Sequence, residues 1–190
     1  QAEHGSLEAA YLEGTGDAVE RASQFVRRIR ARALRDEVHR GFRYLLPDPG
    51  DGGASKRLHL FFRWVGRGPD AIDLKTWRAF DASDLMMPLD THTARICRYI
   101  GLCTRKSVDL RAVQEVTNNL KLLDPADPLK YDFALCHLGI SGACIHKRSE
   151  AHSPTCPLAG RIWGSGRRTV ERPVTSTRRL KGTGWGPATL

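Results

Sequence analysis

Pro88-Leu89-Asp90-Thr91-His92-Thr93-Ala94-Arg95-Ile96-Cys97-Arg98-Tyr99-Ile100-Gly101-Leu102 decides how the rest of this chain is read. The proline halts whatever precedes it, and an acid follows at the mouth of a new helix. Apolar side chains recur at Ala94, Ile96, Cys97, Ile100 and Leu102, with basic ones at Arg95 and Arg98. Asp90 is then a carboxylate at a helix N-terminus, where unpaired N–H groups and the helix dipole favour negative charge. On spacing alone it reads as an ordinary N-cap.

Outward from this stretch the period stays helical. Residues 6–12 and 17–38 read as helices, the second with Val19, Ala22, Phe25, Val26, Ile29 and Ala33 on one face. Residues 46–55, with two prolines and three glycines, read as a loop. Ser55 then caps a helix to about Val65, whose stripe is Leu58, Phe61, Phe62 and Val65. Residues 74–80 and 82–87 suggest short helical turns, capped by Asp73 and by Asp81 or Ser83. The helix after Asp90 runs to about Leu102. Two more follow, over 109–123 and from Pro128 to about Leu138; Leu129, Phe133, Cys136 and His137 share a side of the last, and Gly139 stops it. No alternating run of strand length occurs, so the fold class is all-α, built from many short helices.

Hydrophobic residues make up 41% of the 190, near the globular average. No stretch approaches the roughly 20 apolar residues of a membrane span, and no basic-then-apolar leader opens the chain. A soluble cytoplasmic monomer is expected. The opening Gln1-Ala2-Glu3-His4 lacks an initiator methionine, which suggests a sequence without its first helices. The net charge of +9 is uneven: residues 161–190 hold seven basic residues against Glu171, leaving +3 for residues 1–160. Residues 164–190 lack periodicity and read as disordered. The division expected is a helical domain over 1–160 and a basic disordered tail over 161–190.

Pro88-Leu89-Asp90-Thr91-His92 before an Arg-containing helix and Gly-Leu resembles the segment of helix-hairpin-helix DNA glycosylases that carries the catalytic aspartate. Together with 56–64 (Lys-Arg-Leu-His-Leu-Phe-Phe-Arg-Trp) and 130–140 (Lys-Tyr-Asp-Phe-Ala-Leu-Cys-His-Leu-Gly-Ile), it resembles a bacterial family of conserved hypothetical proteins distantly related to those glycosylases. The likeness runs from about Gly5 to about Leu158. It implies a multi-helix orthogonal bundle of helix-hairpin-helix glycosylase type that acts on double-stranded DNA in base-excision repair, with AP lyase ability.

Such an enzyme needs a phosphate grip, a base pocket, an amine and a carboxylate, because the glycosidic bond is reached only after the base leaves the stack. The resemblance makes Lys56 the amine and Asp90 the carboxylate. Burial, the neighbouring Arg57 and the positive end of the helix would each disfavour the ammonium form of Lys56; contacting a phosphate or solvating the helix start is its plain alternative. Lys75 is the second candidate amine. The interval from Lys56 to Asp90 is 34 residues, similar to the extended one of archaeal 8-oxoguanine glycosylases, which suggests an oxidised purine.

Gly52, Gly53 and Ser55 stand where the phosphate-gripping turn would be, although Asp48 and Asp51 would repel phosphate. Arg57, His92, Arg95 and Asp132 are further substrate-binding candidates, with His137 beside them as a pocket liner. Trp64, Trp77 and Tyr131 could stack on a base, or belong to the core.

No cofactor is expected. Ser153-Pro154-Thr155-Cys156-Pro157-Leu158 resembles the end of an iron–sulfur loop, but Ser153 replaces a cysteine. Cys136, Cys144 and Cys156 leave three thiolates where a cluster takes four, with His146 or His152 as a conceivable fourth metal ligand. The competing reading is a non-enzymatic nucleic-acid-binding module, or an inactive fragment of a glycosylase-like protein.

Overall fold

The computed structural model describes residues 5–33 and 40–141. The expected tail over 161–190, the boundary near residue 160, Cys144, Cys156, His146 and His152 lie outside them. Seven α-helices are described: α1 (Leu7–Leu12), α2 (Ala18–Ala33), α3 (Arg40–Leu45), α4 (Lys56–Gly66), α5 (Thr91–Tyr99), α6 (Leu110–Lys121) and α7 (Asp132–Ile140). Short 3-10 turns cover Pro49–Asp51, Ala82–Asp84 and Pro128–Tyr131. No strand is described beyond the single bridge Gly53–Asp109. No described helix is long and apolar enough to cross a membrane. The all-α class stands.

Two cores divide the apolar side chains. The first is aromatic: Tyr11 of α1, Phe25 of α2, Phe62 of α4, Trp77 and Phe80 crowd together, Tyr11 lying 4.9–6.2 Å from the other four ring centroids. Trp77 is therefore core and is not free to stack on a base. The second gathers Met86, Met87 and Leu89 with α5 and α6, including Ala94, Cys97, Val113, Val116 and Leu120. Residues 85–89 thread between them, fully buried. A buried irregular backbone must find partners. The Met87 N–H donates to Thr117 Oγ1 at 3.0 Å, and Thr117 Oγ1 donates to the Val113 carbonyl.

The ends of the helices correct several expectations. Asp90 and Asp109 cap α5 and α6 through the Thr93 and Ala112 N–H groups. The Ser55 side chain does not cap α4: the residue lies in the left-handed region at φ 43° and its hydroxyl makes no bond to the helix N–H groups. Helix α5 ends at Tyr99 rather than Leu102, because Gly101 turns left-handed and the Leu102 and Cys103 N–H groups both return to the Cys97 carbonyl. Residues 74–80 form no helical turn. The Leu74 and Trp77 N–H groups donate to the Trp64 and Val65 carbonyls at the end of α4, so the segment caps a neighbour instead of coiling on itself. Of 82–87 only Ala82–Asp84 turns, with Asp81 as cap. Helix α3 is additional; its six residues carry no long apolar period.

The last helix also differs. Leu129 is fully buried, whereas Phe133 and His137 face outward, their ring centroids 4.1 Å apart and the planes tilted by 48°. Gly139 does not stop α7 but lies within it. A Cβ there would stand 3.2 Å from Ile96 Cδ1, so the missing side chain lets α7 close on α5.

Gly66 supports the aromatic core in the same way, since a Cβ would sit 2.6 Å from Phe80 Cδ1. Gly66→Ala is expected to overpack this contact and destabilise by about 1–3 kcal/mol, read as a lower urea midpoint with an unchanged slope.

Candidate functional site

The first residue of α4 and the cap of α5 meet. Lys56 Nζ donates to Asp90 Oδ2 at 2.6 Å across 34 residues of chain. The other carboxylate oxygen, Oδ1, accepts the Thr93 N–H at 2.8 Å. Asp90 is therefore both a helix cap and an ion-pair partner. Burial works against its charge, but the Lys56 bond and the Thr93 N–H outweigh it, and the carboxyl titrates below the usual carboxylate range. The pair is open to solvent, with side-chain exposures of 43% for Lys56 and 26% for Asp90.

The loop before α4 is held from two sides. Asp48 is buried; it accepts from Ser23 Oγ, from the Gly50 N–H at 2.8 Å and from Arg27 Nε at 3.1 Å. Its charge is turned inward and matched, so it does not face a ligand at the loop. Opposite, the Leu110 N–H donates to the Gly52 carbonyl at 2.9 Å. Gly52 takes φ +84°, a conformation glycine adopts at no steric cost, and a Cβ on Gly52 or Gly53 would meet nothing within 4 Å. Both glycines are thus exposed backbone beside the N-terminus of α4.

Lys56, His59 and Arg63 follow one another at three- and four-residue steps and share a face of α4. Lys56 is at the surface, whereas His59 and Arg63 are buried. Arg63 joins Asp132, the first residue of α7, and Asp73 at 3.3 Å. Arg67 adds bonds to Asp73 at 2.7 Å and Asp127 at 2.9 Å. Asp132, expected as a substrate ligand, is therefore the buried partner of an arginine. Burial pushes its carboxyl up, against the opposing charge of Arg63. Sequence reasoning missed the cations of this seam. Two arginines four apart on a helix with an apolar stripe were the available signal.

Cys136 lies one turn beyond Asp132 and feels the charges of Asp132, Asp90, Lys56 and Arg63; burial is the main reason its thiol titrates high. Among the described residues no three His, Cys, Asp or Glu side chains converge on a point that could hold a metal. His92 and Arg95 stand exposed on α5 and Arg57 on α4, each outside the Lys56–Asp90 contact. Trp64 is partly exposed, and Tyr131 packs on the second core. Lys75 is committed elsewhere, its ammonium donating to the Gly66 and Phe80 carbonyls at 2.7 Å each.

The family model described as "Protein of unknown function (DUF2400)" matches residues 1–141, which include every described residue. The chain belongs to this family. No curated protein and no solved structure matches it. The Lys56–Asp90 pair and the ionic seam below it both lie inside the DUF2400 match.

The seam yields one expectation. Arg63→Met leaves Asp73 and Asp132 buried without their shared cation and should cost about 3–5 kcal/mol. The loss is read as a lower urea midpoint.

His59 supplies the second expectation. Its Nε2 is buried without a hydrogen-bond partner, and desolvation lowers its pKa from 6.5 to about 4. Such a histidine takes up its proton on unfolding, so the folded state loses stability as pH falls from 6.5 towards 4, by an amount on the order of 3 kcal/mol. His59→Leu should flatten the dependence of the thermal midpoint on pH in that window; an unchanged slope would refute the assignment.

Proposed function

We propose that this chain is the Lys/Asp centre of a base-excision DNA glycosylase with AP lyase activity, acting on duplex DNA as a monomer. The observation that carries the reading is the Lys56–Asp90 contact. An amine and a carboxylate 34 residues apart, each at a helix N-terminus, are the two groups the chemistry requires. They sit at the surface, beside the exposed Gly52-Gly53 turn, whose Gly52 N–H is already spent on the Pro49 carbonyl. The likeness of Pro88–His92 to the aspartate segment of helix-hairpin-helix glycosylases supports the same assignment, and the long Lys56–Asp90 interval favours an oxidised purine such as 8-oxoguanine.

The two groups divide the work. Lys56 attacks as the neutral amine, after its ion-pair proton has passed to water. As the Nζ–C1′ bond forms, the C1′–N bond breaks, and the base leaves with the bonding electrons. The proton shed by Nζ balances the one the departing base takes up. Positive charge develops at the sugar in the transition state, and Asp90 lies where it opposes that charge. The depressed pKa of Asp90 suits this electrostatic role better than that of a proton acceptor. The sugar ring opens as O4′ takes a proton from water and the nitrogen lone pair completes a protonated imine on Lys56; loss of a C2′ proton to water then expels the 3′-phosphate as the C3′–O bond breaks.

Borohydride reduces such an imine to a stable secondary amine. The chain is expected to form a covalent adduct with a duplex carrying one abasic site, and Lys56→Gln to form none while binding the same duplex. Equal trapping by both proteins removes Lys56 as the nucleophile. No trapping by a folded parent that still binds the duplex favours a non-enzymatic DNA-binding module. Asp90→Asn retains an acceptor for the Thr93 N–H but loses the charge, and should slow adduct formation by about 10²–10³-fold.

A further inference from the structure

Beside Lys56 a cleft of about 640 Å³ opens between α3 and α4, and Asp90 does not line it. Arg43, Tyr44, Pro47, Ser55, Lys56 and Arg57 line it. Three of these are cations, two carry hydroxyls, and no carboxylate lines it among the described residues. Asp90 pairs with Lys56, so the charge of Arg43 and Arg57 has no acidic partner within the cleft. The volume lies in the range of small-molecule sites and exceeds what a bare anion fills.

Arg57 is held for use. Its guanidinium lies 4.1 Å over the Tyr44 ring, with Nη2 donating to the Tyr44 hydroxyl at 2.6 Å. These contacts orient the fork while leaving further N–H donors of the five that arginine carries. Tyr44 is itself 68% exposed, so part of the ring is open to a planar group. Paired arginine forks match phosphate oxygens in shape as well as charge.

We infer that this cleft is a phosphate subsite for a nucleic-acid strand, with Arg43 and Arg57 binding the phosphate and Tyr44 offering its ring to the attached nucleoside. The strand comes from the reading above, on which this inference rests; the phosphate specificity comes from the cleft. Strand phosphates are of two kinds, internal diesters and terminal monoesters, and both share this recognition chemistry.

The test is a nuclear magnetic resonance titration of the full chain in phosphate-free buffer. Thymidine 5′-monophosphate carries only the monoester, the dinucleotide TpT only the diester, and thymidine neither. The nucleotide or the dinucleotide should shift the Ser55, Lys56 and Arg57 backbone amides saturably, and thymidine should not. Tighter binding of the nucleotide assigns a terminal phosphate; equal or tighter binding of TpT assigns an internal one.

Arg43→Gln, an exposed change, should weaken the binding about tenfold through loss of one charge-assisted contact. Absence of shifts with either phosphate, or an Arg43→Gln variant that binds as the parent does, overturns the inference. Saturation by tetraglutamate but by neither phosphate also overturns it, in favour of an acidic-peptide site. The probes need no base excision. A chain that binds phosphate here but traps no abasic DNA keeps the cleft and loses the enzyme; one that traps DNA but ignores both phosphates loses only the cleft.

Discussion

Arg63 is the constraint on which the described residues turn. It is buried on α4 between two buried carboxylates, Asp73 and Asp132. A lone charge in such a place costs several kcal/mol, and so does a lone carboxylate. The three are tolerable only together, and their meeting fixes α4 against both the loop after it and the first turn of α7. Arg67 repeats the arrangement one turn on, with Asp73 and Asp127. An apolar contact could slide; a set of directional charge pairs with little water to replace them cannot.

That fixity reaches the surface through a closed circuit. Arg63 holds Asp132, and Asp132 begins α7. Gly139 lets α7 close on Ile96 of α5. Helix α5 begins at Asp90, which pairs with Lys56, two turns before Arg63 on α4. Each step is a short contact or a rigid helix. The Lys56–Asp90 distance therefore follows from the interior and not from the surface pair alone, which as an exposed ion pair would be worth little. An amine and a carboxylate so held need little reorganisation to act together. Asp48, sunk against Ser23 and Arg27, steadies the loop leading into α4 in the same manner.

Much of this was legible in the chain. The apolar stripe of α4, the cap Asp90, and the face of α6 through Val113, Val116 and Leu120 all follow from local rules: spacing, capping and the absence of alternation. Lys56 and Asp90 were legible as a pair only through their likeness to a known segment, since nothing local relates residues 34 apart. Most of the misses have a common cause. Ser55 has the chemistry of a cap but a left-handed backbone. Residues 74–80 have the composition of a helical turn, yet their N–H groups find better acceptors at the end of α4. Trp77 and Asp132 have the chemistry of ligands, but the aromatic core and Arg63 claim them. In every case but Ser55 a distant partner outbid the local preference.

The sequence by itself determined that the chain is helical, where α4, α5 and α6 begin, and which faces are apolar, because periodicity and caps act over three or four residues. Tertiary structure alone decided that Arg63 meets Asp73 and Asp132, that Lys75 is spent on two carbonyls, and that Arg43 and Tyr44 flank Lys56. Those relations join residues far apart along the chain, and they are set by which buried charges and donors find partners when the helices pack, a condition that no local pattern encodes.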